Sequence, residues 1–174
     1  MRKLILYIAC SVDGYIATKE NNIDFLNIVA KDGEDYGYTN FIETVDTVIV
    51  GRKTYDKVLS MGYEFPHVNK DTYILSRTPK EAIGNLKFYN GDLKELIDRL
   101  KSTEGGTIFC DGGAEIVNLL LELKAFDELY ISYIPCLLGE GIRLFREGIP
   151  YQNLKLINSK SYDTGLLQVH YELE

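Results

Sequence analysis

The chain has 174 residues, a length that suits one domain and lets it withdraw roughly 70% of its unfolded surface from water without disulfide staples. Hydrophobic residues make up 45% and charged residues 26%, with four prolines and no low-complexity tract, so order is expected throughout a single domain spanning 1–174. The formal charge is −7 and the pI about 4.9, a field that repels polyanions and argues against nucleic acid and anionic membrane surfaces as partners. Any anionic ligand must therefore be held by local groups.

Cys10, Cys110 and Cys136 are odd in number, far apart and set in apolar runs, which suits buried thiols in a reducing compartment. Two histidines, His67 and His170, make no metal constellation. The apolar run after Met1-Arg2-Lys3 meets Ser11-Val12-Asp13-Gly14 before it reaches signal-peptide or spanning length, so a cytoplasmic protein is expected.

In chain order, Leu4 to Cys10 is a branched apolar run stopped by Asp13-Gly14 and reads as a buried central strand. Residues 18–34 are polar, with an apolar insert from Ile23 to Ala30, and predict a long loop with one helical turn and the character of a binding lid. From Asp35 to Val45 the positions Tyr38, Phe41, Ile42 and Val45 recur at helical spacing. Thr47 to Val50 then reads as a strand that Gly51 breaks, and Arg52 to Ser60 as a helix starting at the strand end.

Thr72 to Ser76 and Leu86 to Tyr89 predict two further strands. Asp92 can cap a helix whose stripe is Leu93, Leu96, Ile97 and Leu100. Thr107 to Cys110 reads as a strand, Asp111-Gly112-Gly113 as a turn, and Ala114 to about Lys124 as a helix. Glu128 to Ile134 alternates like a strand, Pro135 to Gly141 is a turn region, and the last twenty residues form a hairpin with Asp163-Thr164-Gly165 at its tip. Alternating strands and helices make the class α/β, with a mostly parallel sheet and an antiparallel C-terminal edge.

Function is expected at strand-to-helix junctions, because ligands of open α/β sheets collect outside the carboxyl ends of the strands. At Val50-Gly51-Arg52-Lys53-Thr54, glycine lets backbone approach a ligand, a helix start offers free N–H groups, Thr54 adds a hydroxyl and two cations add charge. These are the parts of a phosphate seat; they also fit a strand end beside solvated cations. At Asp111-Gly112-Gly113-Ala114-Glu115 the paired glycines can form an anion-binding nest above the next helix, or merely turn a corner. Neither junction carries a Walker A loop or a Gly-x-Gly-x-x-Gly fingerprint. At Leu75-Ser76-Arg77 a hydroxyl and a guanidinium leave a strand end together, a geometry suited to a 2′-phosphate or to an ordinary charged terminus.

Asp35 lies three residues before Tyr38 and seven before Ile42, which puts a carboxylate on the apolar stripe near the helix start. Facing a pocket there, it would be partly desolvated, with a raised pKa, and could protonate or anchor a polar ring. The competing reading is a helix N-cap.

The ordered blocks Ser11-Val12-Asp13-Gly14-Tyr15-Ile16-Ala17, Val50-Gly51-Arg52-Lys53-Thr54-Tyr55, Leu75-Ser76-Arg77 and Asp111-Gly112-Gly113-Ala114-Glu115, with the segment from Phe126 through Pro135 to Leu144-Phe145, resemble the dihydrofolate reductase-like superfamily. Within it the chain is similar to the riboflavin-biosynthesis reductase branch, the RibD C-terminal domain and its small stand-alone relatives. The resemblance implies a three-layer sandwich, a mixed sheet with helices on both faces, and an NADPH-dependent reductase that reduces a C=N or C=O bond of a small, pterin- or ribosylaminopyrimidine-like substrate. It further implies that Gly51, Arg52, Lys53 and Thr54 contact phosphates and that Ser76 and Arg77, after Leu75, meet the adenosine 2′-phosphate. Gly112, Gly113, Ala114, Glu115 and Ile116, after Asp111, would hold the pyrophosphate, while Ala9 and Ile16 border the nicotinamide.

By the same resemblance Asp35 stands at the substrate-acid position, Ser132 assists it, and the protein is a homodimer. The Pro-Trp element of folate reductases is absent after Ala17, and no His-x-Glu or Cys-x-x-Cys pair signals a zinc deaminase. The alternatives are a non-catalytic nucleotide-binding module and a true dihydrofolate reductase.

Overall fold

The structure, a computed structural model, describes residues 1–174. Its frame is an eight-stranded sheet built from β1 (Leu4–Ser11), β3 (Val45–Gly51), β4 (Asp71–Leu75), β5 (Leu86–Tyr89), β6 (Thr107–Gly112), β7 (Glu128–Ile134), β9 (Leu154–Ser161) and β10 (Leu167–Leu173), in the order β5-β4-β3-β6-β1-β7-β10-β9. The first six strands of that order are parallel, and β10 runs against both of its neighbours. A two-stranded ribbon pairs β2 (Tyr15–Ala17) with β8 (Ile142–Arg143) beside the end of β1. The helices are α1 (Tyr38–Glu43), α2 (Arg52–Ser60), α3 (Leu93–Ser102) and α4 (Ala114–Glu122), with a 3-10 turn over Asp24–Val29.

Two-sided burial explains why the central strands read as continuous apolar runs. In β1, Leu4, Leu6 and Cys10 join the main core with Leu96, Ile97 and Leu100 of α3 and Val117, Leu120 and Leu121 of α4. Tyr7 and Ala9, on the opposite side, meet Tyr38 and Phe41 of α1 and Val29 of the 3-10 turn. Tyr55 of α2 covers Val50, Ile74 and Leu86 on that second face. The result is the three-layer α/β sandwich that the sequence resemblance implied, with α3 and α4 on one face and α1, α2 and the 3-10 turn on the other. Burial pushes the Cys10 and Cys110 thiols up to about 12, so both are inert packing groups.

Several bounds differ from the expected ones. The helix expected over Asp35 to Val45 is only α1, because Tyr36 (φ 59°) and Gly37 (φ 87°) take left-handed backbone before it and Val45 already pairs with Thr107 in the sheet. Asp111 and Gly112, expected in a turn, continue β6. Asp92 does cap α3, accepting the Glu95 N–H at 2.8 Å. The β2–β8 ribbon was not foreseen, since strands of three and two residues are too short to show a period.

β3, β4 and β5 step outward from the centre in chain order, and β6 returns to fill the place between β3 and β1. The C-terminal ends of β1, β3 and β6 therefore stand side by side where the winding reverses, the location at which open sheets form a ligand crevice.

Candidate functional site

A cleft of about 1240 Å³ opens over those strand ends. Its walls hold Ala9, Ile16, Gly51, Arg52, Lys53, Thr54, Leu75, Ser76, Arg77, Asp111, Gly113, Ala114, Glu115 and Ile116. Of the residues expected at a cofactor, only Gly112 is not on the wall; it is buried beneath, against the Ile8 side chain.

The two glycine junctions meet each other because β3 and β6 are neighbours. Gly113 has φ 56°, and a Cβ there would come within 2.9 Å of Thr54 Oγ1; a Cβ on Gly51 would come within 3.1 Å of Ile116 Cγ1. Neither α2 nor α4, each of nine residues, receives a side-chain cap at its start. Their first N–H groups and positive dipole ends are thus left for a ligand on one side of the cleft.

The cations surround this point. Arg52 is drawn back by Asp56, whose two carboxylate oxygens accept from Nε at 2.8 Å, and its guanidinium lies 5.4 Å over the Phe88 ring. Glu115 lies between the other two, 3.8 Å from Lys53 Nζ and 3.4 Å from Arg77 NH2. Those side chains are 93% and 96% exposed, so both are free to turn toward an anion. Ser76 Oγ donates to the Thr78 carbonyl at 2.9 Å and accepts the Thr78 N–H at 3.2 Å, a local turn that holds Arg77 at the rim.

Toward β1 the cleft becomes apolar, with Ala9, Ile16, Leu26 and Ile142 on its wall. The long loop contributes Asn21, Ile23 and Leu26, and at its start Lys19 donates to Glu140 Oε2 at 2.5 Å, beside the β2–β8 ribbon. Residues 18–34 thus place three side chains on the cleft wall.

A second pocket of about 280 Å³ continues from the first, sharing Tyr7, Ile8, Ala9 and Leu26 and adding Asp35 and Ser132. The two residues expected to act on a substrate therefore line one small pocket. Asp35, however, is exposed, and its carboxylate accepts the N–H of Gly37 at 2.9 Å and of Thr39 at 2.8 Å. Hydrogen bonds from the Thr39 side chain and backbone and from Gly37 hold its carboxyl below the usual carboxylate range. The raised pKa expected for it is corrected: capping the start of α1 stabilises the ionised form more than the pocket penalises it.

Ser132 is buried and pairs with Ala9 across β1 and β7; its Oγ accepts from Gln168 Nε2 at 3.1 Å and makes no hydrogen bond to Asp35. Gln168 Nε2 also lies 2.9 Å from Tyr7 Oη, which donates to the Tyr36 carbonyl at 2.8 Å.

The sequence did not single out Tyr7, Gln168, His67, or Tyr89 and Asn90, which extend the cleft beyond Ser76. Tyr89 and Asn90 obey the strand-end rule that found Ser76, but carry no charge to attract notice. Tyr7 and Gln168 are brought together only by sheet pairing.

Against known proteins, residues 58–168 match the RibD C-terminal domain family. The chain is 39% identical over 171 residues to the uncharacterized protein YwjB of Bacillus subtilis (strain 168), covering 98% of this chain and 97% of that one. It is 31% identical to the uncharacterized protein YyaP of the same organism, covering 98% and 94%. Among solved structures, a putative riboflavin biosynthesis protein from Shewanella sp. PV-4 superposes with a TM-score of 0.88 at 32% identity, covering 99% of both chains. A pyrimidine reductase-like protein from Corynebacterium diphtheriae (TM-score 0.70, 14% identity, 99% of this chain and 92% of that one) shares the fold. So does a deaminase/reductase of Thermotoga maritima (TM-score 0.74, 14% identity), of which this chain spans 57% while 99% of it is covered.

Proposed function

The chain belongs to the RibD C-terminal domain family, and on that premise we propose that it is an NADPH-dependent reductase of a small heterocyclic substrate. One observation carries the reading: the uncapped starts of α2 and α4 meet at Gly113 and Thr54, at one side of a cleft whose other parts are cationic at Arg77 and apolar at Ala9 and Ile16. A dinucleotide is a ligand with that order of parts, a phosphorylated adenosine, a pyrophosphate and an uncharged ring.

The residues present fit the cofactor. Only a glycine at 113 leaves the Thr54 hydroxyl uncrowded at the phosphate seat, and Arg77 and Lys53 supply charge where a 2′-phosphate needs it. When bound, the nicotinamide supplies the hydride for a C=N or C=O bond. Ala9 and Ile16 orient the ring and, with Ile23 and Leu26 of the lid, keep water from it. The pocket of Asp35 and Ser132 receives the substrate's reducible ring. Asp35, held ionised, orients donor groups there, and the proton comes from water bound in that pocket.

The relatives named for pyrimidine reduction and riboflavin biosynthesis support a ribosylaminopyrimidine as substrate class. The test is titration calorimetry with NADPH, followed by its oxidation with ribosylaminopyrimidines, pterins, flavins and dihydrofolate. Binding with turnover of a ribosylaminopyrimidine is expected; absence of NADPH binding at millimolar cofactor sinks the reading.

The depressed pKa of Asp35 favours a second reading, a nucleotide-binding module without turnover, since the small pocket then lacks a neutral acid. Its signature is NADPH binding with no oxidation across the whole panel.

A further inference from the structure

Four polar side chains line the small pocket, Tyr7, Asp35, Tyr36 and Ser132, set among apolar groups such as Ile8, Leu26 and Ile134. The Tyr36 hydroxyl is engaged by the Val29 carbonyl and by Thr164 Oγ1 at 2.9 Å. The Tyr7 hydroxyl gives its proton to the Tyr36 carbonyl and accepts from Gln168. Both tyrosine hydroxyls are thus satisfied within the protein, which leaves Ser132 and Asp35 to meet a ligand.

Gln168 is not on the pocket wall. It stands opposite Ser132 in the β7–β10 pairing, and Ser132 in turn stands opposite Ala9 of β1. The Gln168 amide nitrogen faces three oxygens: Tyr7 Oη at 2.9 Å, Ser132 Oγ at 3.1 Å and the Tyr36 carbonyl at 3.2 Å. A carbonyl has no hydrogen to give, so the nitrogen of the amide, and not its oxygen, must point this way.

An amide nitrogen donates and cannot accept. Ser132 Oγ is buried and has Gln168 as its one hydrogen-bond partner, so on that side it can only accept. A serine hydroxyl by itself would rotate to suit a donor or an acceptor on a ligand. With Gln168 taking a lone pair, the hydroxyl hydrogen is left for the pocket. A ligand that brings a second donor there strands that hydrogen, at the cost of an unpaired buried polar group.

We propose that Gln168 is a positioning residue: it fixes Ser132 as a hydrogen-bond donor, and the small pocket thereby selects a substrate ring by a carbonyl oxygen. The Asp35 carboxylate, which can only accept, takes an N–H or amino group of the same ring. A pyrimidinone carries both groups, whereas a diamino ring lacks the carbonyl. The inference rests on the reading of this pocket as the place of the substrate's ring.

The test titrates three probes calorimetrically into the NADP-saturated protein: 6-ribosylaminouracil and the two analogues in which one or the other ring carbonyl is replaced by an amino group. Wild type is compared with Gln168→Met, which keeps the side-chain length, with Ser132→Ala and with the double variant, and NADPH serves as control ligand of the larger cleft. Wild type is expected to prefer the uracil about ten-fold over one amino analogue. In Gln168→Met and Ser132→Ala that ratio is expected to fall to about two-fold or less. The double variant is expected to match Ser132→Ala, because Gln168 acts through the hydroxyl. NADPH affinity is expected to hold throughout, since neither residue is on the cleft wall. Gln168→Glu, measured above neutral pH, puts an acceptor in the same place and is expected to turn the preference toward the amino analogue; it keeps the test open where Gln168→Met does not fold.

A wild-type ratio near one for both analogues overturns the proposal. So does a preference for the uracil that survives in Gln168→Met or Gln168→Glu, or a loss that runs in parallel for all three probes and NADPH, because Gln168 then serves packing alone. Wild type that binds NADPH but none of the probes removes the substrate reading of the small pocket, and the proposal with it. Absence of NADPH binding removes the cofactor reading alone, and the same ratios taken without NADP still decide this one.

Discussion

The Thr54 hydroxyl stands where a side chain on Gly113 would begin: a Cβ built there comes within 2.9 Å of Oγ1. The backbone at Gly113 adds strain for any L-residue, with φ at 56°. Gly113→Ala is expected to destabilise the fold by about 1–3 kcal/mol and to weaken NADPH more than ten-fold, read by denaturant unfolding and calorimetry. Gly51→Ala is the milder change, because Gly51 has ordinary extended backbone (φ −72°, ψ 145°) and the Ile116 side chain can yield. Equal effects at the two glycines would contradict this account of the seat.

Arg77 touches only Glu115, at 3.4 Å, and is otherwise solvated, so its charge is free for a ligand. Arg77→Ala is expected to leave thermal stability unchanged, to weaken NADPH roughly ten-fold, as expected for losing a charge-assisted contact, and to spare NADH. Glu115→Gln removes the carboxylate competing for Arg77 and Lys53 and is expected to tighten NADPH a few-fold, more at low salt. The ratio of NADPH to NADH affinity in the three proteins is the measurement. An unaltered ratio in Arg77→Ala would mean that the phosphate is held elsewhere.

The cleft positions were legible in the sequence because the strand-end rule needs only local signals: Gly51, Ser76-Arg77 and Gly112-Gly113 each follow an apolar run. The central strand β1 was equally legible, being covered on both faces and hence apolar from Leu4 to Cys10. Tyr15–Ala17 and Ile142–Arg143 were not, since so short a ribbon is made by its partner rather than by its own pattern. Local signals also failed where tertiary geometry sets the environment. Asp35 had the right spacing to face a pocket, and it lines one, but the Thr39 side chain and the N–H groups of Thr39 and Gly37 favour its ionised form. His67 and Asp111 meet only through folding.

The depressed pKa of Asp35 makes a prediction with a definite sign. Its folded-state value lies below that of the unfolded chain, so the stabilisation it brings is complete above the ordinary carboxylate range and is lost as pH falls through the folded value. Asp35→Asn is expected to lower the melting temperature at neutral pH and to narrow its gap to wild type in acid. If turnover is found, its pH profile near neutrality will keep its shape in Asp35→Asn, because this carboxyl does not titrate there. A neutral-pH limb that disappears in the variant would restore Asp35 as the acid.

Asp13 ties the β1–β2 turn to the segment before β8. Its carboxylate accepts the Ser11 hydroxyl at 2.5 Å, the Leu138 N–H at 3.1 Å and the Gly139 N–H at 2.7 Å. The Ser11 hydroxyl, joined by those backbone donors, holds the carboxyl below the usual carboxylate range against the opposing effect of desolvation. Asp13→Ala frees both amides and the ribbon that carries Ile16 and Ile142 to the cleft wall. Hydrogen exchange at Leu138 and Gly139 is expected to accelerate, with slower exchange retained in β1 and β6. Unchanged protection at 138 and 139 would show that the β2–β8 pairing alone holds the segment.

The homodimer implied by the resemblance has a candidate surface in β9, the outermost strand of the sheet, whose eight residues are all exposed. One edge of it pairs with β10 and the other is unpaired, and Leu154, Leu156 and Ile157 are 44%, 54% and 47% exposed. Its N-terminal half carries the apolar residues, Leu154, Leu156 and Ile157, and an unpaired edge of this length recruits another strand unless charge or a covering element prevents it; the only charges on it are Lys155 and Lys160. A second copy of the chain is the partner expected, joined about a two-fold axis. Light scattering over a dilution series is expected to report a dimer, and Leu156→Glu combined with Ile157→Glu to give a monomer that still binds NADPH, the cleft being formed by other strands. A wild-type monomer at every concentration would leave β9 without this role.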